Sequence, residues 1–209
     1  MKPNAYIIFT KIPEAGFVKT RLMPDYSDQE AATLQQRMLA QLINISEQID
    51  DDCQVFLTYY AQDHATEKQF LAQLPEQIQV FSQTGETIGS KMSIAIQKVQ
   101  KLGFQKVVLT GSDIPQLNGE IIKHAFEQLE SSQLVIGPSL DGGYYLFGTN
   151  KLDPEPYLTA DISWSTSSVY DSTLDLIKGS GVKFAVAKTL VDVDYSKDFD
   201  QVKEYLEAE

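Results

Sequence analysis

A single cysteine, Cys53, stands in the 209 residues. It allows no internal disulfide and no cysteine cluster for a metal, as expected of a cytoplasmic protein. Cys53 borders the apolar run Val55-Phe56-Leu57 and is expected to be a buried core thiol rather than a nucleophile. Histidine is nearly as scarce. His64 and His124 lie on expected helices with no second histidine at ligand spacing, which argues against a histidine metal site. With no Ser-His-Asp or Cys-His signature, triad hydrolysis is disfavoured. Long apolar runs are also missing. Tyr6-Ile7-Ile8-Phe9 falls far short of the ~20 residues a membrane-spanning helix needs. No small-residue cleavage site follows Met1-Lys2-Pro3-Asn4, so a secretory leader is not expected. Positive charge is in deficit: 17 Lys and Arg against 29 Asp and Glu leave −12. Such a chain repels nucleic acid and anionic membranes at long range. A small anionic substrate stays compatible, given a local basic patch, a bound cation or both. No repeat, low-complexity tract or Pro/Gly/Ser linker interrupts the chain, so a single domain over 1–209 is expected.

What is present is an alternation of strand and helix signals. Short apolar runs bounded by turn residues predict strands at 6–10, 55–60, 78–81, 107–110, 134–136, 144–147 and 184–186. Between them the 3.6-residue period predicts helices. Ser27 and Glu30 form a capping box for the first, continued by Leu34, Met38, Leu42 and Ile45. Others are expected over 66–74 before Pro75, 88–102 before Gly103, 119–129, 169–177 and 199–206. This order predicts an α/β fold with a mainly parallel sheet, whose ligands sit at the C-terminal ends of the strands.

Four segments carry candidate chemistry. Lys11 to Leu22 follows the first strand as a loop with Gly16, the hydroxyl of Thr20, and the cations Lys11, Lys19 and Arg21. Such a loop suits phosphate oxygens, Arg21 by its fork and the lysines as point charges. The Walker spacing is absent, and a solvated basic loop is the plainer alternative. Gly111-Ser112-Asp113-Ile114-Pro115 places a carboxylate at a strand end, where it suits Mg²⁺ or Mn²⁺ on phosphates. Its alternative is an Asx turn or a cap for the helix near Gly119. Asp141-Gly142-Gly143 is either a hairpin turn or a place where ligand meets backbone and Asp141 binds a hydroxyl or acts as a base. In Asp192-Val193-Asp194 the two carboxylates are expected on opposite faces, so that only Asp194 reaches a shared metal. Asp113 and Arg21 are expected to be exposed at the cleft mouth. The one tryptophan, Trp164, is expected in the core, with a lid or an acceptor platform as the alternatives.

Taken in order, these segments resemble bacterial glycosyltransferase-A-type proteins that open Phe-Ala-Lys-x-Pro-x-x-Gly-x-Val-Lys-Thr-Arg-Leu. Here the stretch runs from Phe9 to Leu22, with Thr10 for Ala. The group's Gly-x-x-Leu-Gly-x-Arg-Met falls on Gly85 to Met92, with Ile88 for Leu and Lys91 for Arg. Its Gly-Thr-Asp-x-Pro falls on Gly111 to Pro115, its Gly-Pro-x-x-Asp-Gly-Gly-Tyr-Tyr on Gly137 to Tyr145, and its Asp-Val-Asp on Asp192 to Asp194. The resemblance implies a three-layer, Rossmann-like nucleotide-diphospho-sugar transferase (GT-A) fold with a central mixed, mainly parallel sheet. It implies nucleotide or phosphate contacts from Lys11, Gly16, Lys19, Thr20, Arg21, Gly85 and Lys91. It further implies a divalent cation, Mg²⁺ or Mn²⁺, on Asp113, with Asp194 expected as its second ligand; from the residues themselves, catalytic roles are expected for Asp141 and Lys19, and an acceptor site at Asp141, Gly142, Gly143 and Trp164. Lys91 keeps the charge but loses the fork of the group's arginine. The Asp-x-Asp of many glycosyltransferases is missing at 111–113.

The expected activity is therefore metal-dependent glycosyl transfer from a nucleotide-diphosphate sugar to an unknown acceptor. Lys19 to Leu22 also looks like phospholactate guanylyltransferases, which share this fold, so nucleotidyl transfer with pyrophosphate release is the alternative. A noncatalytic nucleotide-binding protein is the third. Lys11 is expected to engage backbone carbonyls or a carboxylate such as Glu14, leaving Lys19 and Arg21 for a diphosphate.

Overall fold

The computed structural model describes residues 3–47, 49 and 52–207. Seven strands pair among them: β1 (Asn4–Lys11), β2 (Cys53–Tyr60), β3 (Gln79–Ser82), β4 (Lys106–Gly111), β5 (Leu134–Pro138), β6 (Tyr144–Asn150) and β7 (Phe184–Val186). They form one sheet in the order β3-β2-β1-β4-β6-β5-β7. β6 runs antiparallel to β4 and β5, and every other pairing is parallel. The described helices are α1 (Asp28–Glu47), α2 (His64–Leu71), α3 (Ile88–Lys101), α4 (Gly119–Ser131), α5 (Glu155–Leu158), α6 (Val169–Ser180), α7 (Ser196–Val202) and α8 (Glu204–Glu207). None is long and apolar enough to cross a membrane.

The layers follow from the two-residue strand period. Along β1, Tyr6 and Ile8 join Leu39 and Leu42 of α1 and Ile122 and Ala125 of α4 on one face. Ala5 and Ile7 join Met92, Ile96 and Val99 of α3, Leu158 of α5 and Ile177 of α6 on the other. Both faces of the sheet are thus covered, as apolar runs without alternating polar residues require. A third, smaller core joins Leu22, Leu34 and Met38 to Val191, Val193, Val202 and Leu206. It fixes the end of the basic loop beside the segment preceding α7.

Most element ends fall where local chemistry puts them. Glu30 accepts from the Ser27 amide at 2.8 Å and Ser27 Oγ from the Glu30 amide at 3.3 Å, so the expected capping box opens α1. Gly103, φ +100°, follows α3. Two helices differ from the periodic pattern. The second begins at His64 rather than Thr66, because Asp63 caps it through the Thr66 amide, and it ends at Leu71, before Pro75. The expected 199–206 helix is two short ones, α7 beginning at Ser196 where Asp198 closes a cap on Tyr195. α5 was not legible: four residues started by Pro154 are too few for a period.

β2 and β3 lie to one side of β1, while β4 and the rest lie to the other. The crevice between the C-terminal ends of β1 and β4 is therefore the topological switch point, where open α/β sheets bind ligands. The loop after β1 and the turn after β4 meet there.

Candidate active site

A cleft of about 1090 Å³ opens at this point. Lys19, Arg21, Asp113, Asp192 and Asp194 form one charged cluster in its lining, and Lys11, Met92, Tyr144 and Trp164 also line it. The volume is large enough for a nucleotide with a second small molecule.

Lys19 is the centre of the charged cluster. Its backbone is left-handed, φ 49° and ψ 38°, just before a single 3₁₀ turn over Thr20–Leu22. That conformation costs a non-glycine residue about 1–2 kcal/mol and turns the side chain inward, where only 3% remains exposed. Nζ lies 2.6 Å from Asp113 Oδ2, 2.6 Å from the Val193 carbonyl, and 3.9 Å from Asp192 Oδ1 and Asp194 Oδ1. Burial opposes the charge, but Asp113, Asp192 and Asp194 outweigh it and hold the ammonium above the usual lysine range. Arg21, half exposed, forms an ion pair with Asp194. Asp113 is less exposed than expected. A third of its side chain faces the cleft, and despite burial Lys19 holds its carboxyl below the usual range.

Both aspartates of the Asp-Val-Asp segment reach Lys19, which corrects the expectation of opposite faces. Residues two apart on extended backbone share a face, and it is Val193 between them that points away into the third core. Asp192 is the functional candidate the sequence argument passed over, although the spacing itself was the signal. Its Oδ1 is buried and accepts no hydrogen bond. Burial, with Asp113, Asp194 and Asp141 nearby and only partly offset by Lys19, pushes its carboxyl up to about 8. Three aspartate side chains thus face two cations, Lys19 and Arg21. A buried carboxyl oxygen without a donor fits the role of a cation ligand, and hard oxygen ligands suit Mg²⁺ or Mn²⁺. Among the described residues no three acidic, histidine or cysteine groups are already arranged for a metal, and the aspartates converge on the Lys19 ammonium instead.

The raised Asp192 value sets a pH dependence for the metal-free protein. Between about pH 4 and pH 8 the native chain holds a proton that the unfolded chain has released, so stability falls as pH rises through this window. Asp192→Asn is expected to flatten that fall and to raise the melting temperature at pH 8. Thermal unfolding in chelator from pH 5 to 9 measures it, and an unchanged slope would show that Asp192 is ionised throughout.

A buried hydrogen-bond chain positions Asp113. Gln35 Nε2 on α1 donates to Ser112 Oγ at 2.9 Å, and Ser112 Oγ donates to Asp113 Oδ1 at 3.0 Å. Ser112 also bonds Thr10 Oγ1 at the end of β1, at 2.8 Å. The cap of α4 is Asn118, whose side chain accepts from the Ile121 amide, so Asp113 is not consumed as a helix cap.

Lys11, Thr20, Lys91, Gly143 and Trp164 also line the cleft, whereas Gly16, Gly85 and Gly142 do not. Gly16, φ +84°, turns the basic loop. Gly85, φ +126°, lies so close to Ser90 and the Lys91 amide that a Cβ would meet both. Gly142 packs against Ser167. Lys91 sits over the Tyr60 ring at 5.0 Å. Trp164 meets Tyr144 edge-on at 6.2 Å and leans on Gly89 of α3. It is partly buried and cleft-lining at once. Asp141 is exposed on the cleft rim, its Oδ1 accepting from the Gly143 amide at 3.1 Å and from Ser139 Oγ. It closes the hairpin turn and faces the cleft, so the two alternatives for this segment coexist. Lys11 makes no ion pair with Glu14, contrary to expectation. Glu14 is buried and accepts instead from the Gln62 and Asp63 amides, at 3.0 and 3.2 Å.

The profile of the family described as "Uncharacterized protein conserved in bacteria (DUF2064)" matches residues 46–166. No curated protein matches. Among solved structures, a candidate nucleotide-diphospho-sugar transferase from Desulfovibrio desulfuricans G20 has a TM-score of 0.87 at 27% identity, covering 100% of this chain and 95% of that one. Rv0371c from Mycobacterium tuberculosis H37Rv, solved in complex with manganese, has a TM-score of 0.57 at 17% identity, over 96% and 98%. The 4-diphosphocytidyl-2C-methyl-D-erythritol synthase of Anaerococcus prevotii DSM 20548 has a TM-score of 0.61 at 10% identity, over 97% and 96%. The fold is thus the Rossmann-like one of nucleotide-diphospho-sugar transferases and nucleotidyltransferases, as the motifs implied.

Proposed function

The chain belongs to the DUF2064 family, and because a fold does not fix a reaction we propose its activity from the site: metal-dependent glycosyl transfer from a nucleotide-diphosphate sugar. The observation that carries this reading is Asp192 Oδ1, buried without a donor beside Asp113 and Asp194, with a basic loop alongside at the switch point. A divalent cation, Mg²⁺ or Mn²⁺, would be held by these three carboxylates, and once bound it supplies charge neutralisation for the departing diphosphate. Arg21 and Lys19 lie on the same side of the cleft and bind phosphate oxygens, with Lys91 nearby, each most strongly as charge develops on the leaving group. Asp141, with Oδ1 committed to its turn, offers its second oxygen to an acceptor hydroxyl as hydrogen-bond acceptor or base. Trp164 and Tyr144 give that acceptor an apolar wall. The manganese of the Rv0371c structure supports the choice of ion by fold analogy.

One observation favours nucleotidyl transfer as a second reading. Lys11, free of Glu14, lines the cleft and is exposed, so a third cation is available for a triphosphate. The discriminating experiment incubates the protein with Mn²⁺ and either nucleotide sugars or nucleoside triphosphates, with sugars or phosphorylated acceptors. Release of nucleoside diphosphate, with stabilisation by nucleotide sugars at least equal to that by triphosphates, is the expected outcome. Pyrophosphate release together with stronger stabilisation by a triphosphate overturns it in favour of nucleotidyl transfer.

A further inference from the structure

We propose that Lys19 is a stand-in cation: its ammonium holds the place between Asp113, Asp192 and Asp194 that a divalent ion takes on binding, and the displaced lysine then turns to the donor's phosphates. This rests on the metal reading above and adds an exchange step to it. Three observations carry it. First, the ammonium is at the point where the carboxylates converge, 2.6 Å from one and 3.9 Å from the other two. A divalent ion held by Asp113 and an ammonium on the same oxygen would press positive charges together, so they would exclude each other. Second, the carboxylates do not depend on Lys19 to stay in place. The Val193 amide donates to the Asp113 carbonyl at 3.1 Å, Val193 is buried in the third core, and Ser112, braced by Gln35, orients Asp113. The cradle survives the ammonium's departure. Third, Lys19 leaves one carboxylate oxygen unserved. Asp192 Oδ1 accepts no hydrogen bond: the ammonium is drawn to 2.6 Å from Asp113 and from the Val193 carbonyl and stands 3.9 Å from this oxygen, too far to donate to it. A divalent ion would be held by Asp113, Asp192 and Asp194 together and would neutralise phosphate oxygens beside them.

The exchange also orders the reaction. Lys19 reaches phosphate only once metal has loaded, so a donor arriving without metal finds this lysine committed to carboxylates.

The test needs no turnover. Metal-free protein is titrated with Mn²⁺ alone, without nucleotide, by calorimetry. Lys19→Met removes the competing charge and keeps the length of the stem. It is expected to melt lower than the wild type without metal, yet to bind Mn²⁺ about tenfold more tightly or better, as competition for one site requires. Equal or weaker Mn²⁺ binding by Lys19→Met, with Asp113→Asn abolishing it, overturns the exchange and keeps the metal site. Absence of binding by wild type and Lys19→Met alike overturns both. A second measurement covers a variant that fails to fold. In wild-type protein with ¹⁵N-labelled lysine, the buried Lys19 ammonium should give a protected Nζ–H signal that is lost on saturation with Mg²⁺. A signal unchanged at saturating Mg²⁺ overturns the proposal.

Discussion

Asp113→Asn is expected to lower turnover of the donor by on the order of 10²–10³-fold, the range seen when a positioned charge-stabilising group is removed. The substitution keeps the shape of the side chain and removes only its charge. It takes away the carboxylate nearest Lys19, at 2.6 Å, and one of three oxygens proposed for the metal. A stability loss goes with it. Breaking a buried ion pair by removing one partner costs about 3–5 kcal/mol, but a third of Asp113 is open to solvent and Lys19 keeps two other carboxylates within 3.9 Å. A loss of about 1–3 kcal/mol is therefore expected. The two effects separate experimentally. Mn²⁺ with nucleotide should raise the melting temperature of the wild type and leave that of Asp113→Asn where it was. A variant that melts low but turns over normally would make Asp113 a structural partner of Lys19 and nothing more.

The sequence made the layers of this fold legible because they depend on local chemistry. The Ser27–Glu30 box, Gly103 after α3, and the apolar runs of β1, β4 and β6 are each decided within a few residues. The site was legible in part, through the motifs that follow β1 and β4. What escaped were relations between distant segments. That Lys19 is enclosed by carboxylates from positions 113, 192 and 194 depends on a left-handed backbone at Lys19 and on a third core formed by the two ends of the chain. No local pattern encodes either. Glu14 looked like a partner for a neighbouring lysine and is instead a cap for amides nearly fifty residues away. Asp192 is a different case: its two-residue separation from Asp194 already placed the carboxylates on one face. The sheet period, applied to a segment with no strand partner of its own, was sufficient.

Gly142→Ala is expected to be strongly destabilising. Gly142 has φ +88°, a region that costs an L-residue about 1–2 kcal/mol. A Cβ there would also stand 2.6 Å from the Ser167 carbonyl carbon and 2.7 Å from its Cα. Those are backbone atoms, so no side-chain rotation relieves the overlap. The Gly142 carbonyl accepts from the Tyr170 amide at 2.9 Å, so any shift is passed to the first turn of α6 and to the segment bearing Trp164. Together these put the loss at about 3 kcal/mol or more, a drop in melting temperature of about 6–12 °C for a chain of this size. Two neighbouring substitutions calibrate it. Gly179→Ala, in α6 with nothing within 4 Å of the new methyl, should raise stability by up to about 1 kcal/mol. Gly143→Ala meets only the ends of Ser139 and Asp141, at 3.1 and 3.3 Å. It should cost little stability but tilt the Asp141 carboxyl, and so lower turnover more than it lowers the melting temperature. If Gly142→Ala melts like the wild type, the hairpin and the Trp164 segment are not packed as described, and the apolar wall assigned to the acceptor loses its support.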